Sequence, residues 1–397
     1  MSEHRYAVYA TAWDSPGVVE EMPTARDLEY SKPLSDHGEA SFTATVEPGR
    51  SFWRPAIAPV MSGLLIERDG VPDWCGWVVG ENQTGPRTFA FQAVEWGAFF
   101  QRIPAVPLTY LTWNDHALFR DLISRAASIA GQDPGVTLGS TLGAAMSDLT
   151  ISAWEAKTVE ELFVSLGASA GGPEWYFGAG GTHESPVRQL VLGDRLGHVG
   201  AETVLEGVED TPDWSAPDAP PSMALLGDLF PVGSLVPRSP RRGGNLLAWS
   251  RTRNSGSSAT ATVAIGSGQE ATQIRQGAQA NRLLAAGWPR LTRTMTYSDV
   301  TIPATLARHA QADLAASAGI ATGYQLVTLD GDPTADHMQT PRGSDVRVIL
   351  DTDVYGAERP VGGPDGFVTR LLSTTVRVAD DGPAQVEWQV ATVLDDL

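Results

Sequence analysis

A chain of 397 residues with a formal net charge of −19 is long for a single core, and about two to four domains is the expectation. That charge argues against a surface that grips nucleic acid generally, because phosphate contacts need lysine and arginine. A hydrophobic content of 42% excludes wholesale disorder, while 41 Gly and 27 Pro favour short strands and loops over long helices.

Residues 1–105 read as β structure. Tyr6–Ala10, Ala40–Val46, Ser62–Arg68, Trp74–Val79 and Thr88–Ala93 are strand candidates, separated by the turn residues Ser15-Pro16-Gly17, Glu47-Pro48-Gly49, Asp69-Gly70 and Thr84-Gly85-Pro86. Such spacing suggests an antiparallel barrel or sandwich. Asp69-Gly70 has the chemistry of a two-residue hairpin turn, although Pro72 weakens the simple version. The single cysteine, Cys75, lies in the strand-like run Asp-Trp-Cys-Gly-Trp and reads as a small buried apolar residue.

The period changes between Asn114 and Leu166. Asn114 or Asp115 can cap a helix whose apolar positions Leu118, Phe119, Leu122, Ile123, Ala126 and Ile129 share a face, with Gly131 and Pro134 ending it. Thr158 followed by Glu161 matches a capping box for a second helix, with Val159, Leu162, Phe163 and Leu166 on its apolar face. Extended structure resumes at Trp175-Tyr176-Phe177 and Gln189–Leu192, so residues 106–187 read as a small α+β insertion domain.

Residues 188–243 read as a connecting strand and a Pro-rich loop or arm, of which 206–243 has little periodicity. Arg238, Arg241 and Arg242 form a local basic cluster there. From 244 to 397 a second β-barrel domain is expected. It would start with the strand around Trp249, continue through a Ser/Gly turn, a second strand-like run, an irregular stretch and the turn Gly287-Trp288-Pro289, and reach a strand at Leu291–Tyr297. Ser255–Gln279 reads as loop at its head and as a candidate for contacts with neighbouring subunits. A helix over 301–318 follows, with Thr301 near its cap, Pro303 in the first turn and Gly319 ending it. The last strands are placed at Gln325–Leu329, Asp345–Leu350, Phe367–Val378 and Val386–Val393.

The sequence offers little chemistry. Gly167-Ala168-Ser169-Ala170-Gly171 matches the hydrolase pattern Gly-x-Ser-x-Gly, but that elbow needs a strand before the serine and a helix after it, and here a capped helix comes first. The seven histidines, His4, His37, His116, His183, His198, His309 and His337, show no short metal-binding spacing. His309 reads as a half-exposed packing residue on its helix. Asp330-Gly331-Asp332 lacks the rest of a calcium loop. Acidic pairs such as Glu20-Glu21 and Asp380-Asp381 say nothing alone, because a glycosidase needs two carboxylates held across a cleft. No catalytic, cofactor-binding or metal-ligating residue is therefore expected, and no cofactor. The N-terminus has no signal-peptide pattern, and no stretch approaches a membrane span, so no membrane insertion of its own is expected.

The order of several runs carries a resemblance. Gly-Trp-Val-Val-Gly (76–80), Glu95-Trp96 with Phe99-Phe100-Gln101-Arg102, Val191–Gly197, Asn245–Arg251, Gly287–Leu291, Thr296–Val300 and Leu306–Ala310 together resemble minor tail proteins of siphophages that infect actinobacteria, the tail-tip hub family. The likeness spans roughly residues 60–390, through fold-forming residues and not catalytic ones. It implies a homotrimeric ring, each subunit bringing two tube-like antiparallel β-barrel domains plus the mixed domain. Such a ring would join a hexameric distal tail or tube ring to threefold tip or fibre components. It would meet the tape measure protein and line a channel through which DNA passes without specific binding, in a virion assembled in the host cytoplasm. The segment 206–243 is longer and more Pro-rich than that pattern, and no wall-degrading or fibre extension is visible. Two rival classes remain. Twelve Trp suggest a carbohydrate-binding tail protein, with Trp214 and Trp288 as candidate sugar platforms, and a cell-wall hydrolase is the further alternative.

Overall fold

The computed structural model describes residues 4–46, 57–139, 143–152, 154–168, 171–199, 203–207, 245–268, 273–298, 300–332, 334–350, 367–379, 383–391 and 393–395. Its first strands are β1 (Tyr6–Ala12), β2 (Val18–Glu21), β3 (Ala25–Pro33), β4 (Glu39–Thr45), β5 (Ser62–Arg68), β6 (Val71–Gln83) and β7 (Thr88–Glu95), followed by a 3-10 helix over Trp96–Arg102. Next come β8 (Leu108–Asn114), α1 (Asp115–Ala127), β9 (Val136–Leu138), β10 (Met146–Ile151), α2 (Val159–Gly167), β11 (Glu174–Thr182), β12 (Ser185–Gly193) and β13 (Thr203–Gly207). The chain resumes with β14 (Leu246–Asn254), β15 (Ala261–Ile265), β16 (Arg275–Gln279), α3 (Asn281–Ala285), β17 (Thr292–Thr296) and α4 (Pro303–Ser317). The last strands are β18 (Ile320–Leu329), β19 (Asp345–Leu350), β20 (Phe367–Val378), β21 (Gln385–Val390) and β22 (Val393–Asp395).

The fold is mainly β, with large antiparallel sheets and a mixed insertion. Local chemistry sets its first hairpin. Asp69 and Gly70 have φ of 53° and 78°, the pair of positive values that a type I′ turn demands, so β5 and β6 pair antiparallel around them. Pro72 is accommodated because the register shifts between Ile66 and Glu67, beside the position where Pro72 faces Glu67.

Eleven strands of the 14-stranded sheet run in the order β14-β18-β21-β20-β3-β4-β7-β6-β5-β1-β2, with β13, β19 and β22 branching from it. The join between β3 and β20, from Leu28↔Val378 to Pro33↔Ser373, is where the β-rich segments from the two ends of the chain meet. Alternation then sends one set of side chains into a shared core. Tyr30, Phe42, Trp74 and Phe91 from the N-terminal strands pack with Leu326, Val346, Leu371, Val386 and Trp388 from the C-terminal ones. Full burial of each large aliphatic or phenyl side chain contributes about 1.5–3 kcal/mol.

β6 is covered on both faces. Trp74 and Val78 enter the shared core, whereas Cys75 and Trp77 enter a second core with Trp96, Phe100, Leu118, Phe119, Phe163 and Trp175. That second core belongs to the α+β insertion. Asn114 caps α1 by accepting from the Ala117 amide at 3.2 Å, and Thr158 and Glu161 form the reciprocal capping box of α2. Val159, Leu162, Phe163 and Leu166 are all buried, as the spacing requires.

The structure corrects several details. Ile129 lies beyond the end of α1 and is 43% exposed, because Ser128 already forms the helix C-cap. A domain boundary at residue 187 falls inside β12, which pairs with β11 from Ser185 to Gly193. The stretch 255–279 is not a loop throughout: β15 fits the second strand-like run, and β16 pairs antiparallel with it. The N-cap of α4 is Ile302 and not Thr301; it makes no side-chain cap, and Pro303 takes the first helical position. Of the expected arm, Glu206 and Gly207 belong to β13, paired parallel with β19. Arg238, Arg241 and Arg242 lie outside the described residues, as do Trp214 and Asp380-Asp381.

Candidate functional site

β3 brings Tyr30 and Lys32 to the sheet's central junction, and the β5–β6 hairpin brings Arg68 and Asp73. Residues 330–337, just beyond β18, approach from the C-terminal side. Asp73 accepts from Lys32 Nζ at 2.6 Å, from His337 Nε2 at 3.2 Å and from the Tyr30 hydroxyl. Arg68 lies 2.9 Å from Asp330 and 2.7 Å from Asp336, and the Tyr6 hydroxyl donates to Asp330 at 2.6 Å. His337 Nδ1 sits 3.4 Å from Asp330. The side chains of Arg68, Asp73, Asp330 and His337 are each 5% exposed or less, so these ions answer to one another and not to water.

Burial alone would neutralise such groups. For Asp73, burial opposes ionisation, but Lys32 and His337 outweigh it and hold the carboxyl far below its usual range. Asp330 is also lowered, by His337, Tyr6 and Arg68 acting against burial. Burial lowers Lys32 despite Asp73, and it raises the Tyr30 phenol well above its ordinary value. Each acid thus has a cation within reach, and no member is poised as a nucleophile or a free base. Asp330, Asp336 and His337 bring ligand atoms close enough together to hold a metal ion. The Arg68 guanidinium, however, already bridges both carboxylates, so the donor set suits an arginine better than a divalent cation.

Three further arginines tie the insertion to the sheets. Among the described residues Arg188 on β12 forms no ion pair with a carboxylate. It donates to the carbonyls of Trp13, Ser15 and Pro134 at 2.6–2.7 Å and stacks 4.0 Å over the Trp96 ring. Burial brings its pKa down to about 10. Arg342 pairs with Glu95 at 2.5 Å, donates to the Pro33 carbonyl at 2.9 Å and lies over the Tyr176 ring. Burial raises Glu95 in spite of Arg342. Arg370 on β20 grips Glu174 on β11 through both terminal nitrogens. The arrangement is mechanical: it joins segments far apart in sequence.

Among the described residues the sequence candidates do not assemble into a reaction centre. α2 precedes Gly167, so the Gly-x-Ser-x-Gly match follows a helix, opposite to the hydrolase elbow; Ser169 is outside the described residues. The histidines are dispersed: His4 on Asp69, His37 beside Asp36, His116 beside Asp194 and His183 on Glu67. His309 is buried, not half-exposed, because α4 turns it onto the Tyr297 ring with centroids 4.1 Å apart. Cys75 is buried, and its thiol is pushed up to about 12 by that burial. Trp74, Trp77, Trp96, Trp175 and Trp388 are core residues, whereas Trp288 is half-buried and Trp154 is 83% exposed. Among the described residues no helix is long and apolar enough to cross a membrane.

Sequence reading missed the ion network because its partners are remote: His337 is 264 residues from Asp73. The available signal was local, an acid at Asp330 followed by the adjacent Asp336 and His337.

No protein-family model and no curated protein matches the chain. Solved structures do. The fold is similar to that of a tail protein from Neisseria meningitidis at 13% identity, covering 97% of this chain and 96% of that one with a TM-score of 0.58. It is similar to a 43 kDa prophage tail protein from Shewanella oneidensis at 11% identity, covering 97% and 98% with a TM-score of 0.57. A prophage tail protein from Listeria monocytogenes is similar at 8% identity, covering 96% and 94% with a TM-score of 0.51.

Proposed function

We propose that this chain is a structural protein of a phage-type tail, a hub at the tail tip, and not an enzyme. The observation that carries this reading is the extent of the likeness. Three proteins named as tail proteins match over at least 94% of their own lengths and 96% of this chain, not over one shared barrel. The buried ion network and the arginine ties agree with it, since they hold the assembly of strands and insertion together and activate no group. Fold alone does not assign function, so these side-chain arrangements matter to the reading.

In this account β1–β7 and the C-terminal strands with β14 form two tube-like halves. Three copies close a ring whose repeated halves face a hexameric distal tail or tube ring, and threefold tip or fibre proteins lie below. The tape measure protein and the exiting DNA would pass through the lumen, where a predominantly acidic chain repels phosphate and lets DNA slide. The site of action is then the virion tail of a phage, with an actinobacterial host as the finer proposal.

A sugar-binding role has one observation in its favour, the exposed Trp154. Glycan-array binding lost in Trp154→Ala or Trp288→Ala would favour it. Imaging of intact tails with labelled antibody tests the hub reading: label at the tip is expected, and its absence from all particles would overturn it.

A further inference from the structure

Charge is not spread evenly along the chain. Residues 245–319 hold seven Arg and three Asp or Glu, a net charge of +4 against −23 for the remainder of the −19 total. In the fold this stretch carries a three-stranded sheet in the order β16-β15-β17. One face of that sheet is covered by α4: the Thr262 hydroxyl donates to the Ala310 carbonyl at 2.7 Å, and Ala264 packs with Leu306 and Ala310.

The opposite face is partly open: of its β15 residues Ala261 is buried, whereas Val263 and Ile265 are half-buried. Strand registers place Ala261, Val263 and Ile265 of β15 on it, flanked by Arg275 and Gln279 on one side and Thr292, Thr294 and Thr296 on the other. The flanking residues are exposed. Arg290 and Arg293, also exposed, stand at the β17 side, and among the described residues neither forms an ion pair with a carboxylate; Arg275 hydrogen-bonds the half-buried Gln273 side chain at 3.2 Å.

We infer that this basic sheet is an interaction surface whose partner is the acidic body of a second copy of this chain. The inference rests on the hub reading and names the contact that would join its subunits. A sequence stretch of +4 that carries this sheet is complementary to a remainder of −23 and not to itself. The contact is therefore heterologous, head to tail, which closes into a ring when the rotation permits. The open face suits protein better than nucleic acid, because Thr, Gln, Val and Ile outnumber its single arginine, and Arg293, registered with Thr262, belongs to the α4 side of the sheet edge.

The experiment uses the full chain. Its mass distribution would be measured by sedimentation velocity at about 0.1 M and about 1 M salt, between which the screening length falls from about 10 Å to about 3 Å. The wild type should associate at low salt and weaken at least tenfold at high salt. Arg275→Glu with Arg290→Glu and Arg293→Glu should weaken low-salt association at least tenfold, and the matched Lys substitutions should restore it; circular dichroism confirms that each variant folds. Unchanged association in the Glu variant, or none in the wild type at either salt, would overturn the inference. A duplex DNA probe bound by the wild type but not by the Glu variant would overturn it too, since nucleic acid would then occupy the face. Tip labelling is read separately, so a chain that reaches the tip with its association unchanged refutes this contact and leaves the hub reading standing.

Discussion

Asp73→Ala is the most informative single change in the ion network. It removes the acceptor of three donors at once: the Lys32 ammonium at 2.6 Å, His337 Nε2 at 3.2 Å and the Tyr30 hydroxyl. An uncompensated buried charge costs about 3–5 kcal/mol, and each orphaned neutral donor adds about 1–3 kcal/mol, less whatever water can enter. Lys32→Met also leaves a buried charge without its cation, but Asp73 keeps the Tyr30 and His337 donors, so it should cost less than Asp73→Ala by about the 1–3 kcal/mol of an orphaned donor. Urea unfolding followed by tryptophan fluorescence and by circular dichroism reads both values, provided the transitions coincide. The aromatic reporters Trp74 and Trp388 come from opposite ends of the chain but share a core. Both ends should therefore unfold together. Equal costs for the two variants, or an N-terminal transition separated from the C-terminal one in Asp73→Ala, would refute the role given to the network.

Three other outcomes follow. Asp73 and Asp330 have lowered carboxyl pKa values; their stabilisation is present above the unfolded value of about 3.9 and is lost as pH falls through the folded values. Glu95 is raised and works the other way, but the two aspartates should dominate, so midpoint urea concentrations should drop below about pH 4. Cys75 should resist a thiol reagent at neutral pH until the chain is unfolded, given its burial and a thiol pushed up to about 12; rapid labelling of the folded protein would contradict this. Thr158→Ala removes the acceptor of the Glu161 amide at 3.2 Å, and thermal melts should show a loss of about 1 kcal/mol.

Features set by neighbours in sequence were legible. The Asp69-Gly70 turn, the Asn114 cap, the Thr158–Glu161 box and the strand Phe367–Val378 each follow from residues a few positions apart. β3 was not read, because its inward positions Leu28, Tyr30 and Lys32 include a lysine that ordinarily marks a solvent face. Without β3, its pairing with β20 and the single core built across the two ends stay hidden. β8 and β10 are short and interrupted by a register shift, so their alternation is weak. His309 reads as half-exposed from helical spacing alone, since the Tyr297 ring that covers it comes from the segment before α4.

Cryo-electron microscopy of intact tails, with the density at the tip fitted by this fold, tests the central claim most directly. The account predicts three copies in a closed ring around an open channel, the β16-β15-β17 sheet of each turned toward an acidic surface of the next. Tails whose tip density cannot hold this fold, or a chain found only as a monomer outside the particle, would contradict it.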